Sequence, residues 1–242
     1  MPRYVLQERC TWGRPVRREG GPPAVSLELA RIRVVNPGGA DVRIALIRQW
    51  ELIADGIDGI DLAAASRCIG WTNREVLAHL YVQPHLVERF LGTESADEPA
   101  LRLSENLSGA RSFSELIDNS AREGAALNKV ELRGPLEAVR QLVLGAHLDA
   151  TITTLQGSIS VSDYLVTRCV EAVVHGGDLV PAITPDPTAQ AITSKALLDT
   201  LCVSAPELVA EAGALPIEQW IDLATGRTRA TGRLADVLPV MA

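Results

Sequence analysis

From Val42 onward, apolar positions recur at the three- and four-residue spacing of an amphipathic helix. Ile44, Ile47, Trp50, Leu52, Ile53 and Ile57 predict a first helix over about 42–57, followed by a loop from Asp58 to Gly70. A second helix is predicted over about 73–91, and its start is marked by Thr72 and Glu75. In such a capping box, hydroxyl and carboxylate satisfy opposite backbone amides. Pro84 falls inside this run and predicts a kink, because proline cannot donate to the Leu80 carbonyl. After a polar stretch over 92–111, Leu116, Ile117, Ala121, Ala125 and Leu127 predict a third helix over about 113–130. A short helix is expected over about 136–146, and the alternating Thr and Ile of 151–160 read as extended. A fourth long helix, capped by Ser162 or Asp163, runs to about Leu179, with Pro181 as its stop signal.

Four long amphipathic helices predict a mainly α fold: an antiparallel four-helix bundle over 41–181 with a small C-terminal α or α/β subdomain over 182–242. Within that tail, helices are expected near 190–203 and 216–224 after a proline-rich linker. No fixed-period repeat occurs, which argues against a solenoid. Residues 1–40, with a Gly-, Pro- and Arg-rich stretch and no clear helical period, read as a flexible basic arm or a mispredicted start.

Composition narrows the function classes. Hydrophobic residues make up 47% of the chain and aromatics only 4%, so aliphatic side chains must do most of the packing, which favours helices on helices. The net charge of −7 argues against nucleic acid as a general partner. Residues 1–33 carry a net +4, but the remainder carries −11. No run of membrane length and no secretory h-region appears, so no membrane association is expected. Cys10, Cys68, Cys169 and Cys202 stand far apart without a Cys-x-x-Cys pair, which suggests reduced thiols and a cytoplasmic protein. Phosphate-cradling loops, nucleotide fingerprints and nucleophile elbows are absent from the sequence.

The candidate chemistry lies on two helices. Projected at about 100° per residue, Thr167, Arg168, Glu171, His175 and Asp178 fall within about 60° of Glu171. This narrow polar stripe either faces solvent as ordinary one-turn pairs or faces the bundle interior. On the second helix His79 lies within about 60° of Val76, Gln83, Leu86 and Phe90, so it points with the apolar face toward the core. Glu171 and His175, one turn apart, would complete a His2Glu set with His79 and leave a coordination position open, the catalytic arrangement for zinc, although Ni, Fe or Mn use the same donors. Arg168 either pairs with Glu171 or orients it from outside the ligand set, and Asp178 either holds the His175 imidazole or caps the helix. His147 is a reserve ligand, and His85 projects to the surface.

The string from Cys68 through Trp71, Thr72, Asn73 and Glu75 to His79, followed by that from Asp163 through Arg168, Glu171 and His175 to Asp178, resembles the mycothiol-dependent maleylpyruvate isomerase family, within the wider DinB-like group of metal-binding four-helix bundles. The resemblance covers about 42–181, and the stretch from Trp220 to Arg227 is similar to the family's small C-terminal domain. It implies a divalent metal, usually zinc, held by His79, Glu171 and His175, with mycothiol as thiol cosubstrate. It also implies thiolate addition to maleylpyruvate, bond rotation and elimination, or thiol transfer to another small electrophile. A catalytically silent metal- or ligand-binding bundle acting through protein contacts is the alternative. Exchangeable water and mycothiol stimulation would mark the enzyme, and a fourth protein donor such as His147 a structural site.

Overall fold

The computed structural model describes residues 41–93, 95 and 98–241. The arm or false start expected over 1–40 lies outside the described residues. The helices are α1 (Val42–Gly56), α2 (Asn73–Leu91), α3 (Leu103–Gly109), α4 (Ser114–Ala126), α5 (Arg133–Gly145), α6 (Val161–Asp178), α7 (Pro187–Ser204), α8 (Val209–Gly213) and α9 (Ile217–Ala224). An antiparallel hairpin of β1 (Thr151–Thr154) and β2 (Gly157–Ser160) precedes α6. The protein is thus mainly α, a DinB-like bundle with a small C-terminal part. No helix among the described residues is long and apolar enough to cross a membrane.

Helices α1, α6, α2 and α5 close a ring in which each packs on two neighbours. The third helix expected over 113–130 therefore does not supply the fourth member of this ring. Its counterpart α4 flanks α2, while α5 buries Leu136, Val139 and Val143 against α1 and α2. The reason lies in side-chain size. The buried residues of α4 are Ala121, Gly124 and Ala125, with Leu116 and Leu127 exposed, so this helix lies close on α2 without filling a core. A Cβ on Gly124 would stand 3.2 Å from that of Ala78, immediately before His79. Gly176 allows a comparable approach of α6 to Gln49 and Ile53 on α1, immediately after His175. Both of these close helix approaches thus lie next to an inward histidine.

Local signals place the ends of the elements. Thr72 donates its amide to the Glu75 carboxylate at 2.8 Å, and the capping box predicted from these residues is present. α2 continues through Pro84, which is buried. The cap of α6 is Ser160, whose hydroxyl accepts the Asp163 amide at 3.0 Å, rather than Ser162 or Asp163. The hairpin decides this, because β2 ends at Ser160 and delivers the chain directly into the first helical turn. Gly157 holds its turn with φ 134°, a conformation L side chains rarely adopt. The C-terminal part is helical, and α7 packs against α6, α3 and α1. Asp186 caps α7 by accepting the amides of Thr188 and Ala189.

One buried amide ties the start of α2 to the end of α6. Asn73, fully buried, donates to the carbonyls of Asp61 and Val180 at 2.9 Å each and accepts the Val180 amide at 3.0 Å. Asn73→Leu is expected to cost about 3 kcal/mol, because three hydrogen bonds are lost and buried backbone groups are left unpaired. Urea denaturation checks this, and a loss below about 1 kcal/mol would show the contacts to be dispensable.

Candidate metal centre

α6 turns its polar stripe inward. Thr167 and Asp178 are buried, and Glu171 and His175 are nearly so, which rejects the solvent-facing reading of that row. Across the interface, α2 presents His79, 8% exposed, on its apolar face. His79 Nε2 lies 2.9 Å from Glu171 Oε2, and His175 Nε2 lies 3.4 Å from the same oxygen. One ligating atom from each of the three residues lies within 4.8 Å of the others. Residues 92 positions apart in sequence thus meet because α2 and α6 are neighbours in the ring.

The protonation pattern follows from these contacts. Burial alone would raise the Glu171 carboxyl, but hydrogen bonds from His175 and His79 outweigh it and hold that group well below the ordinary range. Burial lowers His79, against the opposing pull of Glu171. Burial would also lower His175, yet Asp178 and Glu171 together raise it. In the metal-free protein the buried carboxylate therefore sits between a histidine driven toward neutrality and one driven toward the cation. A divalent ion would replace that arrangement with a stronger compensating charge.

Trp71 closes one side of the pair. Its ring stacks on His175 with centroids 6.1 Å apart and tilts against His79 at 5.6 Å, while its indole N–H donates to Asp118 on α4 at 2.7 Å. Asp178 holds His175 from behind, with Oδ2 2.9 Å from Nδ1. Arg168 does not reach Glu171. It donates to the Gln83 carbonyl oxygen and to Thr167 Oγ1, and Gln83 Nε2 lies 3.0 Å from His79 Nε2. Its link to the donor cluster therefore runs through Gln83. His147 is exposed and stands outside the cluster. His85 is on the surface, its ring against Tyr81 and Glu88.

Two contributors were not assigned from sequence. Arg227, beyond α9, forms a two-pronged pair with Asp178, Nε to Oδ1 at 3.0 Å and Nη2 to Oδ2 at 2.6 Å. Burial would raise Asp178, but His175 and Arg227 hold it well below the usual carboxylate range. Gln83 was visible only as one residue on the inward face of α2. Nothing in the spacing marks either one, although Arg227 ends the stretch resembling the family's C-terminal domain.

A cavity of about 270 Å³ opens beside the donors, with His79 and Glu171 in its wall. Gln83, Thr167 and Arg168 make a polar corner next to them, and most of the remaining lining is apolar. Neither Cys68 nor Cys169 is activated. Burial pushes the Cys169 thiol up to about 12 and raises that of half-buried Cys68.

A family model described as the mycothiol maleylpyruvate isomerase N-terminal domain matches residues 44–180, more than half of the chain. The chain belongs to this family. Within it, the matched mycothiol maleylpyruvate isomerase domain runs from α1 through the end of α6 and contains His79, Glu171, His175, Arg168 and Asp178. Arg227 lies outside the matched span. Comparison with curated proteins and with solved structures finds no match.

Proposed function

We propose that this protein is a divalent-metal-dependent enzyme of thiol chemistry, using mycothiol to isomerise maleylpyruvate or to modify another small electrophile in the cytoplasm. One observation carries the reading: His79, Glu171 and His175 converge beside a cavity in a chain of this family. Two imidazoles and a carboxylate form a donor set suited to zinc, and a fourth protein donor is absent from the cluster among the described residues. When bound, the cation would lower the pKa of a coordinating thiol and hold its sulfur near the substrate.

The chain's own groups have separate tasks. Asp178 accepts from His175 Nδ1–H, which leaves Nε2 directed at Glu171. Arg227 fixes Asp178 in turn, and Trp71 restrains both imidazoles. The apolar walls beside His79 and Glu171 limit water around a reacting thiolate. Since burial suppresses ionisation of Cys68 and Cys169, a thiol from solution fits the site better than one from the protein.

Protein purified without a histidine tag under zinc-replete conditions is expected to hold about one equivalent of zinc. It is expected to turn over maleylpyruvate, or to alkylate mycothiol with a model electrophile, only when that thiol is supplied. His79→Ala should abolish the turnover. Thiol-independent activity, or activity that survives His79→Ala, would overturn the proposal.

A further inference from the structure

Gln83 stands one helical turn after His79 on α2, 2% exposed and in the wall of the cavity beside the donors. The two ends of a side-chain amide are nearly alike in shape, so hydrogen-bond neighbours decide which end faces where. Here Arg168 decides it. A guanidinium has only donors, and one of them goes to the Gln83 carbonyl oxygen. Reversing the amide would set its NH2 group against that guanidinium, donor against donor. Arg168 is itself fixed, with Nε donating to Thr167 Oγ1 at 3.2 Å and the guanidinium over the Tyr164 ring, 5.3 Å from its centroid. No described carboxylate pairs with it, so its charge acts on the amide. A cation bonded to the carbonyl oxygen draws electron density from the amide and strengthens the N–H groups as donors.

The nitrogen end of Gln83 therefore faces the donor cluster, with Nε2 3.0 Å from His79 Nε2. It carries two N–H groups, and His79 Nε2 is its one hydrogen-bond neighbour among the described residues. That neighbour is already claimed, since the same imidazole nitrogen lies 2.9 Å from Glu171 Oε2. In one tautomer the nitrogen donates to Glu171 and opposes the amide; in the other it accepts from the amide and opposes the carboxylate. A cation bound by His79 and Glu171 would end the conflict but take the nitrogen's lone pair, leaving the buried, polarised amide without an acceptor. A buried donor in that condition is costly. An anionic atom from a further ligand of the same ion would stand beside Gln83 and supply the acceptor.

We infer that Gln83 donates a hydrogen bond to the sulfur of the thiolate bound in this site, and that Arg168 is the positioning residue that keeps the Gln83 N–H groups turned toward it. This rests on the metal-dependent thiol reading given above and assigns that site a contact to its cosubstrate. The hydrogen bond favours the ionised sulfur over the neutral thiol. During addition a sulfur lone pair forms the bond to carbon, the carbon–carbon double-bond pair moves toward the conjugated carbonyl oxygen, and elimination returns both pairs. No proton passes through Gln83, whose amide serves only as donor.

The test loads the full chain with cobalt in place of zinc and titrates it with 2-mercaptoethanol under nitrogen, following the sulfur-to-cobalt charge-transfer band. Gln83→Met, similar in length but without a donor, is expected to take up about one equivalent of cobalt and to bind the thiol about tenfold or more weakly, the loss of a hydrogen bond to a charged group. Its band should also move to longer wavelength, because a sulfur without that hydrogen bond holds its electrons less tightly. Arg168→Met should change affinity and band in the same direction by less, since Gln83 remains but is free to turn. It keeps the test decisive should Gln83→Met fail to fold. Affinity and band unaltered in either variant, or affinity weakened with the band unmoved, would overturn the inference, the second result marking lost packing alone. In that case a wild type that retains cobalt and shows the band leaves the thiol reading standing. A wild type that retains no cobalt, or shows no band with the thiol, would sink that reading and this inference together.

Discussion

Arg227→Met is expected to destabilise the fold by about 3–5 kcal/mol at neutral pH, measured as a lower urea midpoint with an unchanged slope. The cause is the carboxylate left behind. Asp178 has a side chain 1% exposed and depends on the two-pronged contact from Arg227 together with the His175 imidazole. Removing the guanidinium leaves that charge buried with one partner, the situation in which a broken pair costs far more than an intact pair contributes. Arg227→Lys should recover only part of the loss, because an ammonium cannot reproduce the planar fork.

Acid separates this mechanism from lost packing. A carboxyl held below its unfolded value of about 3.9 adds stability that is present above that pH and disappears as pH falls toward the folded value. Asp178 is such a group. The difference between wild type and Arg227→Met should therefore be largest at pH 7 and shrink below about pH 4. A difference that is small at pH 7, or constant down to pH 3, would show that the pair is not what holds this corner together.

Glu171→Ala is expected to lower zinc affinity by more than the roughly 10–100-fold typical of removing a residue behind a metal ligand, since the anionic donor itself disappears. Thermal unfolding gives a readout independent of catalysis. An ion that binds only the folded protein at about 1,000 times its dissociation constant adds about 4 kcal/mol, so zinc should raise the Tm of wild type by several degrees. The variant should show no shift. Metal binding should also weaken below neutrality, because His175, held toward its charged form by Asp178 and Glu171, must give up its proton to coordinate. A wild-type Tm indifferent to zinc would remove the basis for a metal centre.

Much of this site is legible one helix at a time. The spacing of Glu171, His175 and Asp178 puts them on one face of α6, and the company of Val76, Leu86 and Phe90 turns His79 inward on α2. Helical periodicity also located α1, α2, α6 and the later α7 and α9 to within a few residues. Periodicity was less informative about rank within the fold. The run over 113–130 has enough leucine and isoleucine to resemble a core helix, yet the side chains that α4 buries are small, and α5 takes the place between α1 and α2. The cap of α6 was displaced for a related reason, since the pairing of β2 with β1 decides where the strand must end.

Sequence alone determined which side chains share a helical face, because a turn of about 3.6 residues is a local property of the backbone. It therefore settled the mainly helical class, the inward histidine on one helix and the adjacent carboxylate and histidine on the other. Only the tertiary structure decided that Asp178 would be clasped by Arg227, that Arg168 would answer to Gln83 instead of Glu171, and that an apolar cavity with a single cationic corner would open beside the donors. Those relations join segments far apart in the chain, and their partners are selected by packing across helices, for which no residue spacing carries a signature.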